Sequence, residues 1–205
     1  RELAVATITI HAPSESVPAA MEEIYQQGVN FWPLALAREL DDLILHLRFN
    51  EPEVGTWLFK SLGDGKLVID ADEVLNSNAN DWLLRETALY LKRVLKRIDL
   101  SARTLLSAIE PGSCFVGTLL EIVLASDQSF MLDGQFDGDD TFEAKIELSS
   151  LNFGVYPMVN GLSRLHSRFL GDPEFAVNLK QEIAKSLNAK EAEALGLVTF
   201  IPDDI

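Results

Sequence analysis

Gly117, Thr118 and Glu121 are the residues whose spacing converts most directly into chemistry. They lie in Ile109-Glu-Pro-Gly-Ser-Cys-Phe-Val-Gly-Thr-Leu-Leu-Glu-Ile-Val-Leu-Ala-Ser-Asp127. There an apolar strand, Leu105 to Ile109, runs into a turn at Pro111-Gly112, and an apolar helix starts near Thr118. Backbone N–H groups at a helix start are unpaired and carry partial positive charge, so they can cradle an oxyanion. A carboxylate three residues further on shares that face of the helix. An acid/base beside an anion hole suits chemistry next to a carbonyl. The same four residues, Thr118-Leu-Leu-Glu121, also fit a capping box, in which threonine and glutamate satisfy each other's backbone donors. Both readings stand on the residues alone.

The elements that would position these groups alternate between strands and helices. Leu3 to Ile10 alternates and is β-rich, which predicts a strand. Leu36, Leu40, Leu43, Ile44 and Leu47 recur at helical spacing, and Asn50-Glu-Pro-Glu breaks the pattern. Val54 to Phe59 predicts a buried strand, and Ser61 to Lys66 a turn. A second helix is expected from about Asp81 to Ile98, then the Leu105 strand and the helix near Thr118. Ser129 to Leu132 and Ala144 to Leu148 predict strands on either side of an acidic loop, Asp133 to Asp140. Phe175 to Leu187 is expected to be helical, Ala189 to Leu195 a short helix ended by Gly196, and Leu197 to Ile201 a closing strand. This alternation indicates an α/β layered domain occupying residues 1–205.

The net charge of −15 argues against nucleic acid as a partner, because phosphate binding needs a basic surface. Six of the seventeen basic residues, Arg85, Lys92, Arg93, Lys96, Arg97 and Arg103, fall on or just after one helix. They read as a solvated face or as a contact for phosphates of a small molecule. One cysteine, Cys114, excludes an internal disulfide and suits a reducing, cytoplasmic setting. No run reaches the length of a membrane span and no leader is visible, so no membrane partner is expected. The start at Arg1 and the end at Ile205 suggest a fragment or ordered part of a longer chain. His11, His46 and His166 are scattered, and the acidic loop does not match a calcium loop, so no metal site is expected. Cys114 has no nearby base and reads as a packing residue rather than a nucleophile.

Three segments resemble the crotonase (enoyl-CoA hydratase/isomerase) superfamily: Phe115 to Asp127, Gly154 to Leu165, and Glu191-Ala-Glu-Ala-Leu-Gly-Leu-Val198. Six blocks in order are similar to a ring-opening group within it, the benzoyl-CoA-dihydrodiol lyases. They are Ala37 to Asp42, Val54 to Leu58, Ile109 to Phe115, Asn152-Phe-Gly154, Tyr156 to Val159 and Gly196 to Thr199. Enzymes of that group are much longer chains. The resemblance implies a crotonase-like spiral of ββα repeats, commonly assembled as a homo-oligomer. It implies a lyase or hydrolase that opens an oxygenated benzoyl-CoA ring with water, releasing formate and an aliphatic aldehyde-CoA. The acyl-CoA is then substrate, and no separate cofactor is implied. Carried onto this chain, the amides of Ile69 and Thr118 would hold the thioester oxygen, and Glu121 would be the first catalytic acid. Val68, Asp70, Cys114, Gly117 and Asn152 would line the substrate. The hydratases' second glutamate falls on Ser150, a hydroxyl that is a poor proton donor without a base. Two alternatives follow: a hydratase or isomerase with a single acid, or a crotonase-fold CoA-binding or assembly module without turnover.

Overall fold

The computed structural model describes residues 4–134 and 143–203. Four parallel strands form one sheet in the order β1-β2-β3-β4: β1 (Val5–His11), β2 (Thr56–Leu62), β3 (Thr104–Ile109) and β4 (Gln128–Met131). Parallel neighbours require long crossovers, and helices supply them here. Between β1 and β2 run α1 (Met21–Gln27) and α2 (Trp32–Phe49); between β2 and β3 run α3 (Gly65–Ser77) and α4 (Trp82–Asp99). A single helix, α5 (Gly117–Ala125), joins β3 to β4. A two-stranded antiparallel pair, β5 (Ile146–Glu147) with β6 (Ser186–Leu187), holds the later part of the chain. Three short α-helices follow in the later part of the chain, α6 (Arg164–Arg168), α7 (Pro173–Asn178) and α8 (Ala189–Ala194), with 3-10 turns at Gly28–Asn30, Ser150–Phe153 and Leu179–Glu182.

Local chemistry explains these boundaries. In β2 the alternation buries Trp57, Phe59 and Ser61 and leaves the residues between them partly exposed. Asp81 caps α4 by accepting from the amides of Leu83 and Leu84, and Leu84, Leu91, Leu95 and Ile98 point into the core. Across α2 the buried positions Ala37, Leu40, Ile44 and Leu47 keep helical spacing. The helix α5 differs, because every residue from Gly117 to Leu124 is buried. It runs through the interior, so its two polar side chains, Thr118 and Glu121, must find partners inside the protein.

Three expectations from the sequence meet a different structure. Ile69, whose amide the resemblance makes an oxyanion donor, lies inside α3, which starts behind the Asp64 cap. The stretch from Phe175 to Leu187 is not one helix. It is α7, a 3-10 turn at Leu179–Glu182 and β6, with Ala184 in the left-handed region at φ 63°. Leu197 to Ile201 makes one bridge, Phe130 with Phe200, rather than a strand. Of the acidic loop, Asp137, Asp139 and Asp140 lie outside the described residues. Among the described residues no helix is long and apolar enough to cross a membrane, and no group of histidine, cysteine and acidic side chains is placed to hold a metal ion.

Candidate functional site

Glu121 does not close a capping box. The N-terminal cap of α5 is Val116, with no side-chain cap bond. The glutamate is 1 % exposed. Its Oε2 accepts from Arg164 Nη1 at 2.6 Å, and its Oε1 accepts from Asn152 Nδ2 at 2.7 Å. Asn152 Nδ2 also donates to the Gly117 carbonyl at 2.9 Å. Arg164, itself 2 % exposed, turns its other edge to Asp99, with Nε to Oδ1 at 2.9 Å and Nη2 to Oδ2 at 2.7 Å. Its Nη1 also donates to the Tyr156 carbonyl at 3.0 Å. One guanidinium thus serves two carboxylates in a dry interior, and burial pushes the carboxyls of Glu121 and Asp99 above their ordinary values despite it.

A third acid, Asp72, completes this knot. It lies on the apolar face of α3, among Val68, Ala71 and Leu75, and is buried. Thr118 donates its backbone N–H to Asp72 Oδ2 at 2.7 Å and its hydroxyl to Oδ1 at 2.5 Å. Tyr156 OH lies 3.4 Å from the Thr118 hydroxyl oxygen. Burial pushes the Asp72 carboxyl up to about 7, offset by the two Thr118 bonds and aided by the nearby Glu121 charge. Gly117 adopts φ +49°, and a Cβ there would overlap Asp72 Oδ2. The glycine therefore makes room for the aspartate on the helix N-terminus.

The two expected oxyanion donors are accordingly not free. Thr118 N–H is bonded to Asp72, and Ile69 is the fifth residue of α3, beyond the unpaired amides of a helix start. Cys114 is buried, its amide bonded to the Ser61 hydroxyl and its thiol pushed up by burial. Val68 is fully buried and Asp70 half-buried on α3. Ser150 is exposed at the start of a 3-10 turn, Ser150–Phe153.

Open space lies next to this knot. A cleft of about 870 Å³ runs along the carboxyl ends of β2 and β3, past Gly63, Gly65 and Gly112 and beside Lys66, Lys145 and Ser186. Ligands of open parallel sheets sit at such strand ends. A smaller pocket of about 140 Å³ is lined by Asp72, Ser149, Ser150 and Ile183. Ile69 and Glu147 line both spaces, and Ser150 lines the smaller one with Ile69. Glu121, Thr118, Asn152 and Cys114 line neither. The basic residues of α4 do not reach the cleft lining either. Arg97 pairs with Asp41, Arg93 stacks on Tyr90 at 4.5 Å, and Arg85 pairs with Glu86. The cleft's cations are Lys66 and Lys145. Neither Asp72 nor Glu147 carried a signal in the sequence, because the apolar stripe around Asp72 belongs to α3, a helix the local pattern did not mark.

No family model matches the chain. The backbone resembles an enoyl-CoA hydratase/carnithine racemase from Magnetospirillum magneticum at a TM-score of 0.64, covering 98 % of this chain and 66 % of that one at 17 % identity. It also resembles an enoyl-CoA hydratase from Geobacillus kaustophilus HTA426 at 0.58, covering 99 % and 67 % at 19 % identity. The chain has the crotonase fold. In sequence, this crotonase-fold chain is similar to a benzoyl-CoA-dihydrodiol lyase from Aromatoleum evansii, with 47 % identity over 201 residues. Those residues are 97 % of this chain and 35 % of the lyase, so the chain spans about a third of that relative.

Proposed function

We propose that the chain is part of a CoA-thioester lyase that opens an oxygenated benzoyl-CoA ring. The observation that carries this reading is the 47 % identity to a benzoyl-CoA-dihydrodiol lyase along nearly the whole chain. The cleft supports it physically. It has about 870 Å³, is lined by Gly63, Gly65 and Gly112, and carries Lys66 and Lys145, cations that suit a thioester bearing phosphates. The acyl-CoA is substrate, the reading invokes no resident cofactor, and a homo-oligomer in a reducing cytoplasmic compartment goes with it.

Thr118 and Ile69 amides do not hold the thioester oxygen in this arrangement, because Asp72 and the α3 ladder engage them. Glu121 acts as a structural acid, with Arg164 and Asn152 as its partners. These same bonds favour a second reading, a binding or assembly module that keeps the fold and the cleft without turnover.

Calorimetric titration with benzoyl-CoA, using free CoA and benzoate as controls, tests the first reading together with a turnover assay. Benzoyl-CoA is expected to bind more tightly than either half, and Lys66→Glu with Lys145→Glu is expected to weaken it at least tenfold at low salt. Binding without turnover of a benzoyl-CoA dihydrodiol or epoxide would establish the module instead. Absence of binding at millimolar thioester would sink both.

A further inference from the structure

The outer face of α2 and α4 shares no lining residue with the cleft, and it carries an acidic hollow beside a basic ridge. The two helices pack against each other. Arg97 pairs with Asp41 across their seam, and Tyr90 OH donates to Asp41 Oδ2 at 3.0 Å. The hollow, about 470 Å³, opens at this seam. Its wall holds three carboxylates, Glu39, Asp41 and Asp42, against one cation, Arg38. Glu39 and Asp42 are exposed and make no ion pair among the described residues. The ridge is α4 itself, with Arg85, Lys92, Arg93 and Lys96 against Glu86. Arg85 pairs with the exposed Glu86 at 3.3 Å, and Arg93 lies over the Tyr90 ring at 4.5 Å. Arg48, further along α2, lies over the Phe49 ring at 5.9 Å, outside the hollow.

We propose that this face joins two copies of the chain about a two-fold axis, the basic ridge of each α4 entering the acidic hollow of the other. Hollow and ridge lie on one chain, so a two-fold contact forms the same complementary pair twice. The net charge supports a second copy as the occupant. At −15, the chain repels its own copies over most of its surface. The α4 ridge reverses that sign locally, and the surface that complements it is an acidic one such as the hollow. A phosphate-bearing small molecule on the ridge would face Glu39 and Asp42 as like charges, whereas a second copy uses them.

Apolar side chains stand among these charges. Trp82 is 61 % exposed, and Val29 and Leu89 are exposed beside the hollow and on the ridge. Tyr25 stacks on Trp82 at 6.3 Å between ring centroids, and its hydroxyl donates to Asp81. Trp82, Leu89 and Arg93 follow one another along a single outward stripe of α4, seven and then four residues apart. Tryptophan, tyrosine and arginine are the side chains that carry most binding energy where proteins meet. Each helix has 18 residues. Two such helices side by side present a face of about 27 Å by 20 Å, the scale of the roughly 800 Å² that each partner gives to a specific interface. The contact lies apart from the cleft, so it goes beyond the lyase reading and stands independently of turnover.

The test is sedimentation velocity of the full-length protein at low salt, with two charge-reversed variants run alone and mixed. Glu39→Lys with Asp42→Lys makes hollow and ridge both basic; Arg85→Glu with Arg93→Glu makes both acidic. Alone, each is expected to raise the dissociation constant at least about a hundredfold, because like charges then face each other. Mixed in equal amounts, they are expected to recover a dimer within about tenfold of the parent, because both contacts regain opposite signs. All four positions are exposed, so unfolding midpoints close to that of the parent are expected. Leu89→Glu sets one charge within the apolar stripe and is expected to weaken the dimer at least about tenfold. Unchanged association in Leu89→Glu overturns the proposal even where a double variant fails to fold. A parent that is monomeric throughout the micromolar range overturns it, as does a mixture that stays monomeric. Variants that associate like the parent place the contact elsewhere or this face under another part of a longer polypeptide, and overturn it too. Turnover of a benzoyl-CoA dihydrodiol or epoxide, assayed on the same parent, decides the lyase reading separately.

Discussion

The knot around Arg164 and the cleft beside Lys66 treat charge in opposite ways. In the knot, the buried side chains of Glu121, Asp99, Asp72, Thr118 and Asn152 all make bonds to other parts of the chain. In the cleft, Lys66, Lys145 and Glu147 extend side chains that meet no partner among the described residues. A helix N-terminus next to a carboxylate is the pattern expected of a working anion hole, yet the α5 start has its own anion, Asp72. The residues that look most chemical in the sequence are thus those most committed to the interior. The comparison teaches that satisfied polar groups and available polar groups need separating before a role is assigned.

The sharpest way to break this contrast is Arg164→Met. Removing the guanidinium leaves Glu121 and Asp99 buried without their cation, and the expected cost is about 3–5 kcal/mol in urea unfolding. A loss below 1 kcal/mol would mean that water reaches the knot. Gly117→Ala is next: a left-handed alanine whose Cβ overlaps the Asp72 carboxylate should cost about 1–3 kcal/mol. If Thr118 still protects its amide from hydrogen exchange in that variant, Asp72 has not been displaced.

The pH dependence has a definite sign. Asp72 stands at about 7 in the folded chain against an ordinary 3.8, so its contribution to stability is fully present below about pH 4 and is lost as pH rises through 7. Glu121 and Asp99 are raised too, and act in the same direction. Unfolding midpoints should therefore fall between about pH 4 and 7, and Asp72→Asn should flatten that fall. An unchanged slope in the variant would place the titration on another group. The smallest effect belongs to the cleft: Lys66→Ala should alter stability by no more than about 0.5 kcal/mol, since its side chain is exposed and makes no ion pair among the described residues.

Much of the scaffold could be read from local pattern. The spacing of Leu40, Ile44 and Leu47 marks α2, and Leu84, Leu91, Leu95 and Ile98 mark α4, because one buried face repeats along each. The start of α5 at Gly117 and the short helix α8 before Gly196 were likewise visible. The helix α3 was not, because Gly65 after the Asp64 cap reads equally well as a turn. The expected helix from Phe175 failed where Ile183 to Leu187 turns aside to pair β6 with β5, a tertiary preference that no periodicity carries. The site was less legible still. Glu121 meets a partner 43 residues away and Thr118 one 46 residues away. Spacing along one helix identified the polar groups but could not tell whether the fold would hand them to a ligand or to each other.

The reach of Arg164 has a consequence for how the chain is made. It follows Asp99 by 65 residues and Glu121 by 43. During synthesis both acids leave the ribosome long before their cation does. Until then they must remain hydrated or protonated, because an unpaired carboxylate cannot enter an apolar interior. Helix α5 therefore cannot settle into its final place until the segment bearing Arg164 arrives. The interior is sealed from its distal end, and a nascent chain released before residue 164 would hold a helix too apolar for water and too charged for the core.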